Sequence, residues 1–307
     1  MHPQPQTGYQ PGEKPSSRIC VIRYQELLMS YKTILIHLDE SPTIDARIKM
    51  AAQLATTHEA HLIGLATTGV SRYFYESMSS AVSEAGIGPY LDTLREQARG
   101  RLQHFEDKVR QLGVNSFEIH LADDEAEGCL AMRARYCDLV ILGQYDPDGS
   151  IPSVYADLPE YVTLNGGCPV LVIPYVGTYP LKPEHVLIAW DGGQEAAKAV
   201  RSALPFLQAA KSVEVAVFNA QHRPNNHGEE PGADIALYLA RHHVKANVRQ
   251  EQTEIPVGEA LLSLAADLNA DLLVMGCYGH SRLREILLGG VSRTILDSIT
   301  LPVLMSH

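Results

Sequence analysis

Two apolar hexapeptides, each closed by an aspartate, stand half a chain apart. Thr33–Leu38 (TILIHL) precedes Asp39, and His185–Trp190 (HVLIAW) precedes Asp191. Runs this short have no room for a helix, and they are too uniformly apolar for a half-exposed strand. Each reads as a strand covered on both faces. A helix-period segment follows each one. After Asp39, Ser41-Pro42-Thr43 offers a helix start, and Ile44, Ile48, Ala51, Ala52 and Ala55 form the apolar stripe; after Asp191, Ala196–Leu207 supplies the helix.

The alternation continues in both copies. The first copy adds strands at Ala60–Thr67, Ser116–Ala122, Leu139–Leu142 and Pro169–Ile173. Its helices fall at Tyr90–Leu112, ending at Gly113, then Asp124–Tyr136 and Ser153–Leu164, capped by Asn165-Gly166-Gly167; Thr68–Gly88, with Tyr73, Phe74 and Tyr75, reads as irregular. The second copy adds strands at Val213–Phe218, Ala246–Gln250, Leu272–Met275 and Leu301–Met305, and helices at Ala233–His243 and Val257–Leu268. The copies also close alike, Gly-Cys-Pro-Val-Leu-Val-Ile-Pro at 167–174 against Thr-Leu-Pro-Val-Leu-Met at 300–305. A unit that occurs twice is a statement about fold. Strands alternating with helices predict an α/β protein of two tandem doubly wound, Rossmann-like domains, each a five-stranded parallel sheet with helices on both faces. The expected boundaries are 31–174 and 184–307, joined by a Pro/Gly-containing linker at 175–183. Residues 1–30, poor in apolar content at their start, are expected to be a disordered extension or a start placed too early.

A chain of 307 residues with 45% hydrophobic content can build two ordinary cores. Its net charge of -11 argues against a general nucleic-acid binder, which needs a basic stripe. No apolar run is long enough to span a membrane. The five cysteines (Cys20, Cys129, Cys137, Cys168, Cys277) are scattered, without a Cys-x-x-Cys pair. With no secretory signal they read as reduced thiols in a cytoplasmic protein.

The stretch from Asp271 carries the chemistry. Behind the strand Leu272–Met275 come Gly276-Cys-Tyr-Gly279, nine residues, then Gly289-Gly290 and a helix with Val291, Ile295 and Ile299 on one face. Glycines here let backbone approach a phosphate, and the helix start aims N–H groups and partial positive charge at the same point. Spacing alone fits turn glycines with no ligand equally well. No Gly-Lys-Ser/Thr follows, so this is not a Walker A loop.

The glycines resemble the nucleotide loop of the universal stress protein family, Gly-x2-Gly-x9-Gly-Ser/Thr. Together with the strand-end aspartates and the paired Pro-Val-Leu strands, they make the chain resemble a tandem, UspA-like member from Tyr31 onward. Gly290 departs from the pattern by removing the Ser/Thr hydroxyl; Ser292, two residues on, is a candidate to replace it. The resemblance implies an ATP site in the second domain, with or without Mg²⁺. Asp191 would hold the nucleoside, and Gly276, Gly279, Gly289, Gly290 and Val291 would cradle phosphate. Ala189, Trp190 and Met275 would flank the site, and Asn219 would border the base. Arg282 and Arg284 either neutralise phosphate or form a solvated loop face; His280 either bonds phosphate or lies exposed. The resemblance also implies pairing through the closing strands, here within one chain as a pseudo-dimer that can dimerise again.

The first copy departs from this pattern. After Gly143 the sequence runs Gln-Tyr-Asp-Pro-Asp-Gly-Ser, so Asp146 stands at the second glycine position and Asp148 adds charge where phosphates would lie. That half is expected to bind no triphosphate although Asp39 is retained. His222, His227, His242 and His243 near Glu229, Glu230 and Asp234 have no recognised metal spacing. No nucleophile–base or paired-carboxylate arrangement is identifiable. The expected function is a stress-response protein acting as a ligand-dependent regulatory module. The alternatives are a non-nucleotide interaction protein and a slow Mg²⁺-dependent ATPase.

Overall fold

The computed structural model describes residues 30–71, 84–149, 156–177, 179–222, 230–277 and 290–307. Tyr31–His307 form one compact unit. The elements alternate throughout. The first half contains β1 (Thr33–His37), α1 (Ile44–His58), β2 (His61–Thr67), α2 (Glu84–Gln111), β3 (Phe117–Ala122), α3 (Ala126–Ala134), β4 (Leu139–Gly143), α4 (Leu158–Gly166) and β5 (Val170–Ile173). The second contains β6 (His185–Ala189), α5 (Gln194–Ala209), β7 (Ser212–Phe218), α6 (Ala233–Arg241), β8 (Ala246–Glu251), α7 (Val257–Asp267), β9 (Leu272–Gly276), α8 (Val291–Ser298) and β10 (Val303–Ser306), with a 3₁₀ turn at Ala220–His222.

One ten-stranded sheet runs in the order β3-β2-β1-β4-β5-β10-β9-β6-β7-β8. Each half is a five-stranded parallel sheet in the doubly wound order, with its first strand between the second and the fourth. The halves meet at β5 and β10, which are antiparallel with Val303 opposite Val172, Leu304 opposite Leu171 and Met305 opposite Val170. The central strands are buried along nearly their whole length. The outer strands β3 and β8 alternate and carry polar side chains, which blunts an exposed edge.

Local chemistry explains most boundaries. Glu59 (φ 51°) and Gly113 (φ 74°) take the left-handed conformation that closes α1 and follows α2. Gly64 in β2 leaves room for Phe105 of α2, whose Cε1 lies 2.6 Å from where a Cβ would stand. Three expected boundaries move. The long helix α2 begins at Glu84, so Gly86 and Gly88 are helical and Pro89 sits inside the helix, past its first turn, where it removes one backbone hydrogen bond. Helix α3 is trimmed to Ala126–Ala134. Helix α4 starts at Leu158 behind Asp157, with Pro159 in its first turn, and Gly167 (φ 80°) ends it; the expected start at Ser153 lies outside the described residues. Tyr73, Phe74 and Tyr75 lie outside the described residues. Among the described residues no helix is long and apolar enough to cross a membrane.

Candidate functional site

In a doubly wound sheet, ligands sit beyond the carboxyl ends of the strands where strand order reverses. The second half has that point between β6 and β9, which run side by side with Ala189 opposite Met275. Two residues past β6, Asp191 Oδ1 accepts the Gly193 N–H at 2.8 Å, and Gly192 (φ 74°) supplies the bend. Gly193 is the N-cap of α5. Gly276 ends β9 against this turn. A Cβ there would lie 2.6 Å from the Glu195 carbonyl carbon and closer still to the Ala196 N, so only glycine lets strand and helix start meet. Cys277 is held in place by its N–H bond to Ser306 O and by His307 Nδ1 on its own carbonyl, both at 2.9 Å. Its side chain is fully buried, so the described geometry makes it a packed residue and not an exposed thiol.

Gly290 is the extended N-cap of α8 (φ -61°, ψ 157°) and has no side chain with which to cap it. Val291 opens the helix, and the Ser292 side chain is buried. Trp190 N–H bonds Ala216 O at 2.9 Å. Asn219 takes the left-handed conformation (φ 51°), and its carboxamide is bonded both ways to the Thr253 backbone, at 3.1 and 3.0 Å. It pins the turn after β8 while bordering the strand ends. Gly279, His280, Arg282, Arg284 and Gly289 lie outside the described residues. So do His227 and Glu229 of the histidine cluster; among the described residues no group of three or more His, Cys, Asp or Glu is placed to hold a metal.

The corresponding point of the first half is built differently. Arg47 of α1 is buried and grips Asp39 with both terminal nitrogens, Nη1 to Oδ2 at 2.8 Å and Nη2 to Oδ1. Asp39 Oδ1 also accepts the Ser41 N–H at 3.0 Å. Gly143 makes room for this pair, because a Cβ there would fall on the Arg47 guanidinium. Burial pushes the Asp39 carboxyl up, but the charge and hydrogen bonds of Arg47, with His37, outweigh it and hold the pKa below the usual carboxylate value. His37 lies 3.8 Å from Asp39. Burial lowers its pKa to about 4; Asp39 works against that shift, and Arg47 and Arg101 work with it. At neutral pH it is an uncharged imidazole.

A model of the universal stress protein family matches residues 183–307. That stretch contains every residue of the second-half site. The second half of the chain is therefore similar to the universal stress proteins. A similar relative, the universal stress protein Slr1230 of Synechocystis, is 23% identical over 292 residues, covering 89% of this chain and 99% of that protein. The crystal structure of a universal stress protein from Archaeoglobus fulgidus covers 89% of this chain and 95% of its own at a TM-score of 0.68 and 14% identity. A putative universal stress protein from Pseudomonas aeruginosa covers 91% and 94% at a TM-score of 0.54 and 18% identity. At these identities the structural likeness concerns the fold.

In this chain Ala189, Asp191, Met275, Gly276 and the Gly290–Ser292 helix start all stand at the carboxyl-end edge of the second half. The sequence reading missed the first-half residues. Arg47 shares a helix with the apolar stripe Ile44, Ile48 and Ala51 and lies a turn from Ile44 and from Ala51. A charge on that face, eight residues after a strand-end aspartate, was the available signal. His37 and Arg101 had none, because their roles depend on which strands and helices become neighbours.

Proposed function

We propose that the second half of the chain binds an adenine nucleotide, ATP in the first instance, and that the protein acts as a ligand-dependent regulatory or protective module in the stress response. In this reading residues 31–174 and 184–307 are two domains held as an intramolecular pseudo-dimer by β5 and β10, and a second copy can add to it.

The observation that carries the reading is the meeting of Asp191, Gly276 and the α8 start on one edge. The donor set fits the group: Asp191 offers acceptors for ribose hydroxyls, and the first N–H groups of α8 face outward from a glycine N-cap. ATP would bring its own charge and Mg²⁺, and the chain would orient it. Gly290, lacking the family's hydroxyl, supports the second reading, an interaction protein that takes no nucleotide.

The test is to purify the protein, denature it and identify released small molecules by mass spectrometry, then titrate the stripped protein with Mg·ATP by calorimetry. Wild type should release or bind nucleotide, whereas Asp191→Ala and Gly279→Asp should weaken binding at least tenfold. No release and no heat at millimolar Mg·ATP would leave the interaction protein as the function. Phosphate release that depends on Mg²⁺ would point instead to the slow ATPase.

A further inference from the structure

The first half holds a cavity of about 220 Å³ at the carboxyl ends of β1, β2 and β4, roofed by Leu94, Gln97 and Arg101 of α2. That is far above the roughly 10–15 Å³ that one water needs. Its polar groups are under-satisfied. Arg101 has five N–H donors. Its one hydrogen bond among the described residues runs from Nη2 to Thr67 O at 2.7 Å. Its Nε is buried with no partner, and Glu40, half-exposed at the rim, stays 3.7 Å from Nη1. Thr68 Oγ1 and His37 Nδ1, on side chains more than nine-tenths buried in the cavity wall, also lack a hydrogen-bond partner. Buried donors left unmade are expensive, and a cluster of them around a cavity calls for an occupant.

The charges say which. Arg47 and Asp39 neutralise each other, and His37 is uncharged, so among the described residues Arg101 is the cation left facing the cavity. Leu94 and Leu158 supply apolar wall. Asp146 and Asp148, on the segment after β4, repel a polyanion. We propose that this cavity is a binding site for a small organic monocarboxylate, its carboxylate on Arg101 and its apolar or hydroxylated body between Leu94 and Leu158. Planar guanidinium–carboxylate pairing suits that geometry, and displacing Glu40 from a long rim contact costs little. The site is distinct in ligand class from the nucleotide reading of the second half and does not rest on it.

The probes are benzoate and hexanoate, with benzamide and hexanamide as uncharged twins, followed by calorimetry and by the arginine Nε–H signals in ¹H–¹⁵N spectra. Both acids should bind saturably in the millimolar range and at least tenfold tighter than their amides. They should shift the one Nε–H signal that disappears in Arg101→Gln. Arg101→Gln should lose the preference for acid over amide. Leu94→Trp, which fills the cavity and keeps the arginine, should abolish binding while that signal remains. Asp191→Ala should bind the acids as wild type does. Acids and amides binding alike, no binding of either acid at millimolar concentration, or acid binding that survives Leu94→Trp would each overturn the proposal, and the cavity would then be filled by water alone.

Discussion

The carboxamide of Gln144, at the end of β4, donates from Nε2 to the carbonyl of Leu296 in α8 at 2.9 Å, across 152 residues of sequence. Leu296 lies in the last turn of α8, where carbonyls have no partner within the helix. The same side chain accepts the Tyr175 N–H through Oε1 at 3.3 Å. One buried residue of the first half therefore satisfies the end of the helix whose start lies in the candidate nucleotide site of the second. Gln144→Leu should cost about 1 kcal/mol, since it leaves a partly buried carbonyl and a partly buried N–H without this partner. Urea unfolding would show this as a lower midpoint; an unchanged midpoint would mean that the pair contributes nothing.

Arg47 and Asp39 form a buried ion pair, and removing one partner leaves the other charge uncompensated. Arg47→Met should destabilise by about 3–5 kcal/mol, and adding Asp39→Asn should recover a good part of that. If the double variant is as unstable as the sum of the single variants, the coupling between the two side chains is absent.

His37 makes stability pH-dependent. Its ordinary pKa of 6.5 in the unfolded chain falls to about 4 in the fold, so between those values the unfolded state takes a proton that the native state refuses. Its contribution is complete above the unfolded value and drains away as pH falls toward the folded one. The groups facing it are Asp39, Arg47 and Arg101. Linkage puts the loss at about 2 kcal/mol between about pH 7 and about pH 5. Urea midpoints at the two pH values should differ less in His37→Leu than in wild type; equal differences would contradict the buried neutral imidazole.

Gly276 is required for packing whatever ligand is bound. Gly276→Ala should cost about 1–3 kcal/mol or more, because its Cβ meets backbone of α5 that cannot swing aside. A thermal melt at matched concentration, without nucleotide, reads this directly. A melt equal to wild type would mean that the start of α5 yields. Because of this clash, Gly279 and Asp191 are better probes of nucleotide binding than Gly276.

Much of this fold was legible along the chain. TILIHL and HVLIAW are buried strands because no other element fits so short an apolar run. The repeat of the unit called for two doubly wound parallel sheets, and Gly113 and Gly167 marked helix ends. Boundaries that depend on one ring or one turn were less legible. Helix α4 begins at Leu158 with Pro159 in its first turn, and the two glycines before Pro89 did not keep α2 from beginning at Glu84.

In the candidate site, local pattern pointed to Asp191, Gly276 and Gly290, since a strand end, a tight approach and a helix start are each written within a few residues. What the sequence determined by itself is therefore the alternation, the strand ends and the glycines that permit them. The tertiary structure decided that Gly276 is forced by the start of α5, that Arg47 occupies Asp39, and that Gln144 reaches Leu296. It also decided that Arg101 overhangs a cavity walled by the ends of β1, β2 and β4 and by Leu94 and Leu158 of two helices. These contacts join residues far apart in the chain, and their energies come from burial and unmet hydrogen bonds, which exist only once the sheet has brought its strands together.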